Sequence, residues 1–135
     1  MVSEFDDDTI VATSLREMAE EIGVNESEVN ILGILRCNWS EVTAITGVAV
    51  TPVVGFVGEL DIKTLDPNAD EVDEVFTVPL EKILEKKNWE ISEEDGGPVF
   101  TGGQHRIWGL TAYILNKFLS DVLSRYRINT IPPAN

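Results

Sequence analysis

The stretch TIVATSLREMAEEIGV, residues 9–24, decides how this chain is read. Leu15, Met18 and Ile22 recur at three- and four-residue steps, which is the apolar stripe of a helix that packs on a sheet. Glu17, Glu20 and Glu21 stand at i, i+3 and i+4, so their carboxylates share a different face. The pattern stops at Gly23, a residue type suited to end a helix in the left-handed conformation. Three carboxylates on one face repel one another unless a positive charge sits among them. Oxygen-only donors of this kind suit Mg²⁺ or Mn²⁺ better than Zn²⁺. A solvated acidic face is the plainer reading of any run of glutamates, and the spacing alone leaves both open.

The bulk of the sequence bounds what such a helix can serve. The chain has 135 residues and 43% hydrophobic residues, enough for one domain with a real core. Ten Lys and Arg stand against 24 Asp and Glu, for a formal net charge of −14. That balance argues against nucleic-acid backbones and anionic membrane surfaces as partners, because both need clustered cations. An acidic protein still binds a phosphorylated small molecule when divalent cations lie between them. The single cysteine, Cys37, makes no internal disulfide and points to a reducing compartment; it reads as a core or strand residue. The sequons at Asn25-Glu26-Ser27 and Asn38-Trp39-Ser40 read as accidental in an intracellular protein. No apolar run approaches the roughly 18–20 residues that span a bilayer, and the acidic residues 1–8 do not resemble a targeting segment.

Outward from the helix, residues 1–8 read as loop and 29–38 as a strand. The valine-rich run 45–58 is broken by Pro52, and its second half, TPVVGFVGEL, reads as a buried strand. Residues 61–71 are polar and contain Pro67 and Asn68, hence a loop. A short extended piece, VDEVFTV at 72–78, leads to a helix that Pro79 starts and that runs to about Lys86. Short strands are expected over 88–108, around the loop at 93–98 and a Gly102-Gly103 turn. Leu110, Ile114, Leu115, Phe118, Leu119, Val122 and Leu123 mark a last helix to about Arg125. Trp108 and Phe118 are expected in the core. Interleaved helices and strands make the class α/β, or α+β mixed, with a mixed sheet.

The order REMAEEIGV at 16–24 matches the REUXEEXGU half of the Nudix box at every fixed position, with Met18 and Val24 as the required apolar residues. Downstream, LDPNADEVDEVFTVPL at 65–80 and HRIWGLTA at 105–112 are similar to the coenzyme A diphosphatase branch of the Nudix hydrolases, in particular the mitochondrial-type Nudix 8 proteins. The resemblance runs from Asp6 to about Tyr126. It implies a Nudix-like α/β/α sandwich over residues 1–126, with 127–135 as a tail. It further implies that Glu17, Glu20 and Glu21 ligate Mg²⁺ or Mn²⁺, that Glu20 or Glu21 helps activate water, and that Arg16 holds a glutamate of the helix by charge-assisted hydrogen bonds. His105 and Glu74 are further candidates for touching substrate, and Glu71 and Glu74 for reaching the metal. The implied reaction is hydrolysis of coenzyme A or acyl-CoA to 4′-phosphopantetheine, or its acyl form, and 3′,5′-ADP, in an intracellular and, by family, mitochondrial protein.

The first half of the box departs from the pattern. Counting back from Arg16 places Asp8 at the first glutamate and Val2 at the glycine; a shifted register puts Asp6 or Asp7 there instead. The chain is thus expected to begin inside its own motif, without the upstream strands. Two functional readings stand side by side: a metal-dependent diphosphatase, and a weak or inactive Nudix fragment that acts at most as a binding or interaction module.

Overall fold

The computed structural model describes residues 7–47 and 50–125; the side chains of Asp7, Asp8, Trp39 and Thr43 are left aside. The expected tail at 127–135 and the candidates Val2 and Asp6 lie outside the described residues. The chain divides into two compact units, residues 1–36 with 51–77 and residues 37–50 with 78–135. The class is mixed α and β, as expected. Among the described residues the strands form two two-stranded antiparallel sheets, in place of a single mixed sheet.

The first unit is built on α1 (Asp7–Ile22) and the pair β1 (Asn30–Ile34) and β2 (Val53–Phe56). Helix α1 starts earlier than its periodicity predicts, taking in Asp7 and Asp8, which were expected as loop. Acidic residue types are favoured in a first helical turn because the helix dipole is positive there. Ile10, Val11, Ser14, Leu15, Met18, Ala19 and Ile22 are half-buried, while Thr9, Ala12, Thr13, Arg16, Glu17, Glu20 and Glu21 are exposed. The helix therefore has one sharp division between a packed stripe and a solvent face, and it packs on β2. Strands β1 and β2 pair with Asn30 opposite Phe56 and Ile34 opposite Val53. A bulge between Ile31 and Gly33 interrupts the ladder and leaves Leu32 exposed. The strand ends at Ile34, four residues short of the expected limit, and the Leu35 N–H continues the pairing only as far as the Pro52 carbonyl, at 2.9 Å. Residues 72–78, expected to be a short extended piece, carry no strand.

The second unit holds α2 (Trp39–Thr46), α3 (Leu80–Leu84), the hairpin β3 (Trp89–Ile91) and β4 (Pro98–Phe100), and α4 (Gly109–Asp121) with a short 3₁₀ turn after it. The hairpin strands pair Trp89 with Phe100 and Ile91 with Pro98, and Phe100 bridges on to Ile107. Ile83, Phe100 and Leu123 form the buried core, with Val78, Trp89, Ile107, Leu115, Phe118 and Leu119 packed around them. Phe118 sits there as expected. Trp108 does not: it precedes α4 and is 63% exposed. Pro79 stands one position before α3 rather than within it, and the helix ends at Leu84.

Helix α2 was not foreseen in the valine- and threonine-rich sequence. Its start is set by Asn38, whose side-chain oxygen accepts from the Glu41 N–H at 3.2 Å and from the Ser40 hydroxyl at 2.6 Å. This is an N-cap, with Val42, only 1% exposed, as the buried anchor of the helix. Replacing Asn38 with alanine is expected to destabilise the second unit by about 1 kcal/mol, read as a lowered urea midpoint. No change in midpoint would show that the cap contributes nothing.

Candidate metal centre

Glu17, Glu20 and Glu21 all lie on the solvent face of α1, as their spacing requires. The Arg16 guanidinium donates to the Glu20 carboxylate, Nη1 to Oε1 at 3.4 Å, one helical turn along. Both side chains are more than half exposed, at 58% and 59%, so the pair adds little stability. It does set the direction of one carboxylate. The resemblance implied that Arg16 holds a glutamate of the helix; the contact seen joins two of the four candidate residues of the helix.

The acidic groups are not drawn into a closed cage. Among the described residues, no three His, Cys, Asp or Glu side chains stand close enough together to enclose a metal ion. The donor set still fits a hard divalent cation. Mg²⁺ takes one or two carboxylates and completes its shell with water and substrate phosphate, so it does not demand a preassembled protein cage. Three exposed carboxylates within about one turn, with no amine or thiol among them, are donors of that kind.

What fixes the end of this helix is a segment the sequence did not mark as functional in itself. Gly23 follows α1 at φ +79°, and its N–H still reaches the Ala19 carbonyl at 3.0 Å. The Asp66 N–H donates to the Ile22 carbonyl at 3.0 Å and the Asn68 N–H to the Glu21 carbonyl at 2.7 Å. Two of the orphan carbonyls of the helix end are thus satisfied by the loop at 65–68. The only signal for this in the sequence was the pairing of a helix-ending glycine with a distant Asp-Pro-Asn turn.

The other candidates lie elsewhere. Glu71 and Glu74 belong to the first unit; both are exposed, Glu71 closing a turn in which its N–H donates to the Asn68 carbonyl at 3.0 Å. His105 belongs to the second unit and is exposed in the turn between β4 and Ile107. Its neighbours Arg106 and Trp108 border a cleft of about 190 Å³ with Ser92, Glu94 and Asp95. A ligand pocket for a drug-sized molecule usually spans roughly 300–1,000 Å³, so this cleft does not enclose a dinucleotide-sized ligand. Cys37 is half-buried, and burial pushes its thiol up, only partly offset by Lys117. A raised thiol is a poor nucleophile near neutral pH, but Cys37 lies three residues beyond β1 and is not fully buried, so it is neither the strand nor the core residue expected.

Comparison with known proteins joins these features. Human mitochondrial coenzyme A diphosphatase NUDT8 is 41% identical over 125 residues, covering 87% of this chain and 51% of that protein. The mouse protein of the same name is 38% identical over 81% of this chain and 53% of its own length. Nudix hydrolase 3 of Caenorhabditis elegans is 30% identical over 84% of this chain and 54% of its own. No family model and no solved structure matches the chain. Its relatives across most of its length are Nudix hydrolases, and the chain spans about half the length of those relatives.

Proposed function

We propose that the chain is part of a metal-dependent diphosphatase that hydrolyses coenzyme A or acyl-CoA. The observation that carries this reading is the 41% identity, over 87% of this chain, to a protein named for coenzyme A diphosphatase, beside the intact order REMAEEIGV at 16–24. Residues 1–126 contribute to the catalytic domain and 127–135 are its tail. Glu17, Glu20 and Glu21 hold Mg²⁺ or Mn²⁺. When bound, the ion neutralises diphosphate charge and lowers the pKa of a water placed to attack phosphorus.

The chain's own part is positioning and charge placement. Arg16 orients Glu20 across one helical turn. Glu20 or Glu21 accepts the proton of the attacking water, and the exposed face of α1 leaves room for a substrate diphosphate above it. Of the further candidates, Glu74 belongs to the same unit as α1 and is the one assigned a contact to the rest of the substrate. The site sits in a protein carrying a formal charge of −14, so an anionic substrate approaches it productively only with cations between them. The names of the human and mouse relatives carry the word mitochondrial, and we assign this chain to the same compartment. No helix among the described residues is long and apolar enough to cross a membrane.

The test is direct. Coenzyme A incubated with this chain and Mg²⁺ or Mn²⁺ is expected to yield 4′-phosphopantetheine and 3′,5′-ADP, resolved by chromatography, with no products when the metal is chelated. Folded, metal-bound protein that leaves coenzyme A intact would favour the binding-module reading.

A further inference from the structure

We infer that the segment 65–72 is a strap that positions the metal helix: by holding the C-terminal end of α1 it sets where Glu20 and Glu21 stand relative to Glu17. The inference rests on the metal-helix reading above and adds to it a part of the site that contains no ligand.

Glu20 and Glu21 lie in the last turn of α1, whereas Glu17 lies one turn earlier. Last turns fray, because their carbonyls have no partners within the helix. Fraying here would carry two of the three carboxylates away from the third. The strap opposes it at the carbonyls of the last two residues of the helix. Asp66 donates to Ile22 and Asn68 donates to Glu21 itself, at 3.0 and 2.7 Å. Pro67, which has no N–H, separates the two donors, and its ring fixes the backbone between them.

The strap is also tied to itself. The Asn68 side chain accepts the Asp70 N–H at 3.0 Å, and the Asn68 carbonyl accepts those of Glu71 and Val72 at 3.0 and 2.8 Å. Its approach is close enough to dictate the residue it meets. A Cβ on Gly23 would fall 3.0 Å from the Asp66 nitrogen and 3.1 Å from the Asp66 Cβ. The first of these is backbone and cannot turn aside, and φ +79° already disfavours a side chain. Gly23 therefore answers two demands: it ends α1, and it admits the strap.

The experiment measures Mn²⁺ binding by the full chain without substrate, from the loss of the free-ion electron paramagnetic resonance signal. Amide exchange across residues 19–23 is followed in parallel. Gly23→Ala is expected to weaken Mn²⁺ binding about tenfold or more, the effect typical of losing a group that orients a ligand, and to speed exchange at Ile22 and Gly23. Asn68→Ala is expected to weaken binding in the same direction, and Asn68→Asp, which keeps the side-chain acceptor, to restore it. Asn38→Ala, in the other unit, is expected to leave Mn²⁺ binding unchanged. If Gly23→Ala and Asn68→Ala bind Mn²⁺ as tightly as the parent while exchange at the end of α1 accelerates, the strap has no positioning role. If Glu20→Gln and Glu21→Gln also bind like the parent, or the parent binds no Mn²⁺, the metal helix itself is wrong and the strap inference falls with it. Should Gly23→Ala fail to fold, the Asn68 pair decides the question.

Discussion

Replacing Phe100 with alanine is expected to destabilise the second unit by about 3–5 kcal/mol. Phe100 is fully buried and stands at the centre of the cluster with Ile83 and Leu123. Its ring meets Trp89 edge-on, with centroids 5.1 Å apart and an interplanar angle of 60°. Such a pair is worth about 0.5–1.5 kcal/mol beyond the area it buries. Trp89 is held in place from its other side, its indole N–H donating to the Ile83 carbonyl at 2.8 Å. It cannot swing into the space that the ring vacates without losing that bond. The backbone of Phe100 is bonded both ways to Ile107, at 2.9 and 3.0 Å, so the main chain cannot collapse either. The cavity therefore persists, which is the condition for a loss at the upper end of the range. Domains are stable by only about 5–15 kcal/mol in total, so the variant should be largely unfolded in modest urea. Tryptophan fluorescence during urea titration measures it. Ile91→Ala is the control, because Ile91 lies in the same hairpin and is 76% exposed; a surface change of that kind stays within roughly 0.5 kcal/mol. Equal losses for the two variants would show that Phe100 is not the keystone of this core.

The contrast between those two residues shows what the sequence could and could not reveal. Periodicity found α1 and α4 because each has one packed stripe and one solvent face, and a period of 3.6 records that division. It found the hairpin because turn residues separate two short apolar runs. It did not find α2, whose Val, Thr and Ile are weak helix formers. The signal there was Asn38 with Glu41 three residues on, an N-cap arrangement concealed by its likeness to a glycosylation sequon. Asn25 repeats the lesson: its side chain accepts from the N–H and hydroxyl of Ser27 and caps the turn Glu26–Glu28. An Asn-x-Ser is a cap as readily as an acceptor site. Residues 72–78 read as a short extended piece, but a strand also needs a partner, and local sequence says nothing of partners. Trp108 was assigned to the core on residue type alone, which is the weakest ground for burial. At the candidate site, spacing put the three carboxylates on one face, and the family resemblance singled out Arg16 beside them. The strap was hidden because backbone donors leave no trace in side-chain identity; Gly23 and the distant Asp-Pro-Asn turn were its signal, and a glycine does not say which of its demands it answers.

Glu20→Gln is expected to lower metal-dependent hydrolysis of coenzyme A by about a hundredfold or more, the scale associated with losing a positioned acid or base, with the helix unchanged. Glutamine keeps the shape of glutamate and removes only its charge, so the variant separates electrostatics from packing. The side chain is 59% exposed and pairs with Arg16 in a surface contact worth little to stability. A large loss of activity beside an unchanged melting curve would therefore mean that the carboxylate acts on metal or water and not on the fold. Arg16→Ala supplies the graded comparison. It removes the 3.4 Å contact but leaves the carboxylate, so its loss should be smaller than that of Glu20→Gln and should ease as the metal concentration is raised, since a misdirected ligand still binds at higher concentration. A solvated acidic face predicts the opposite pattern throughout. It has no metal to lose, so both variants would match the parent in turnover at every metal concentration, and the three glutamates would be ordinary surface charge. The two readings of one spacing, left open by the sequence, thus differ by about two orders of magnitude in a single assay.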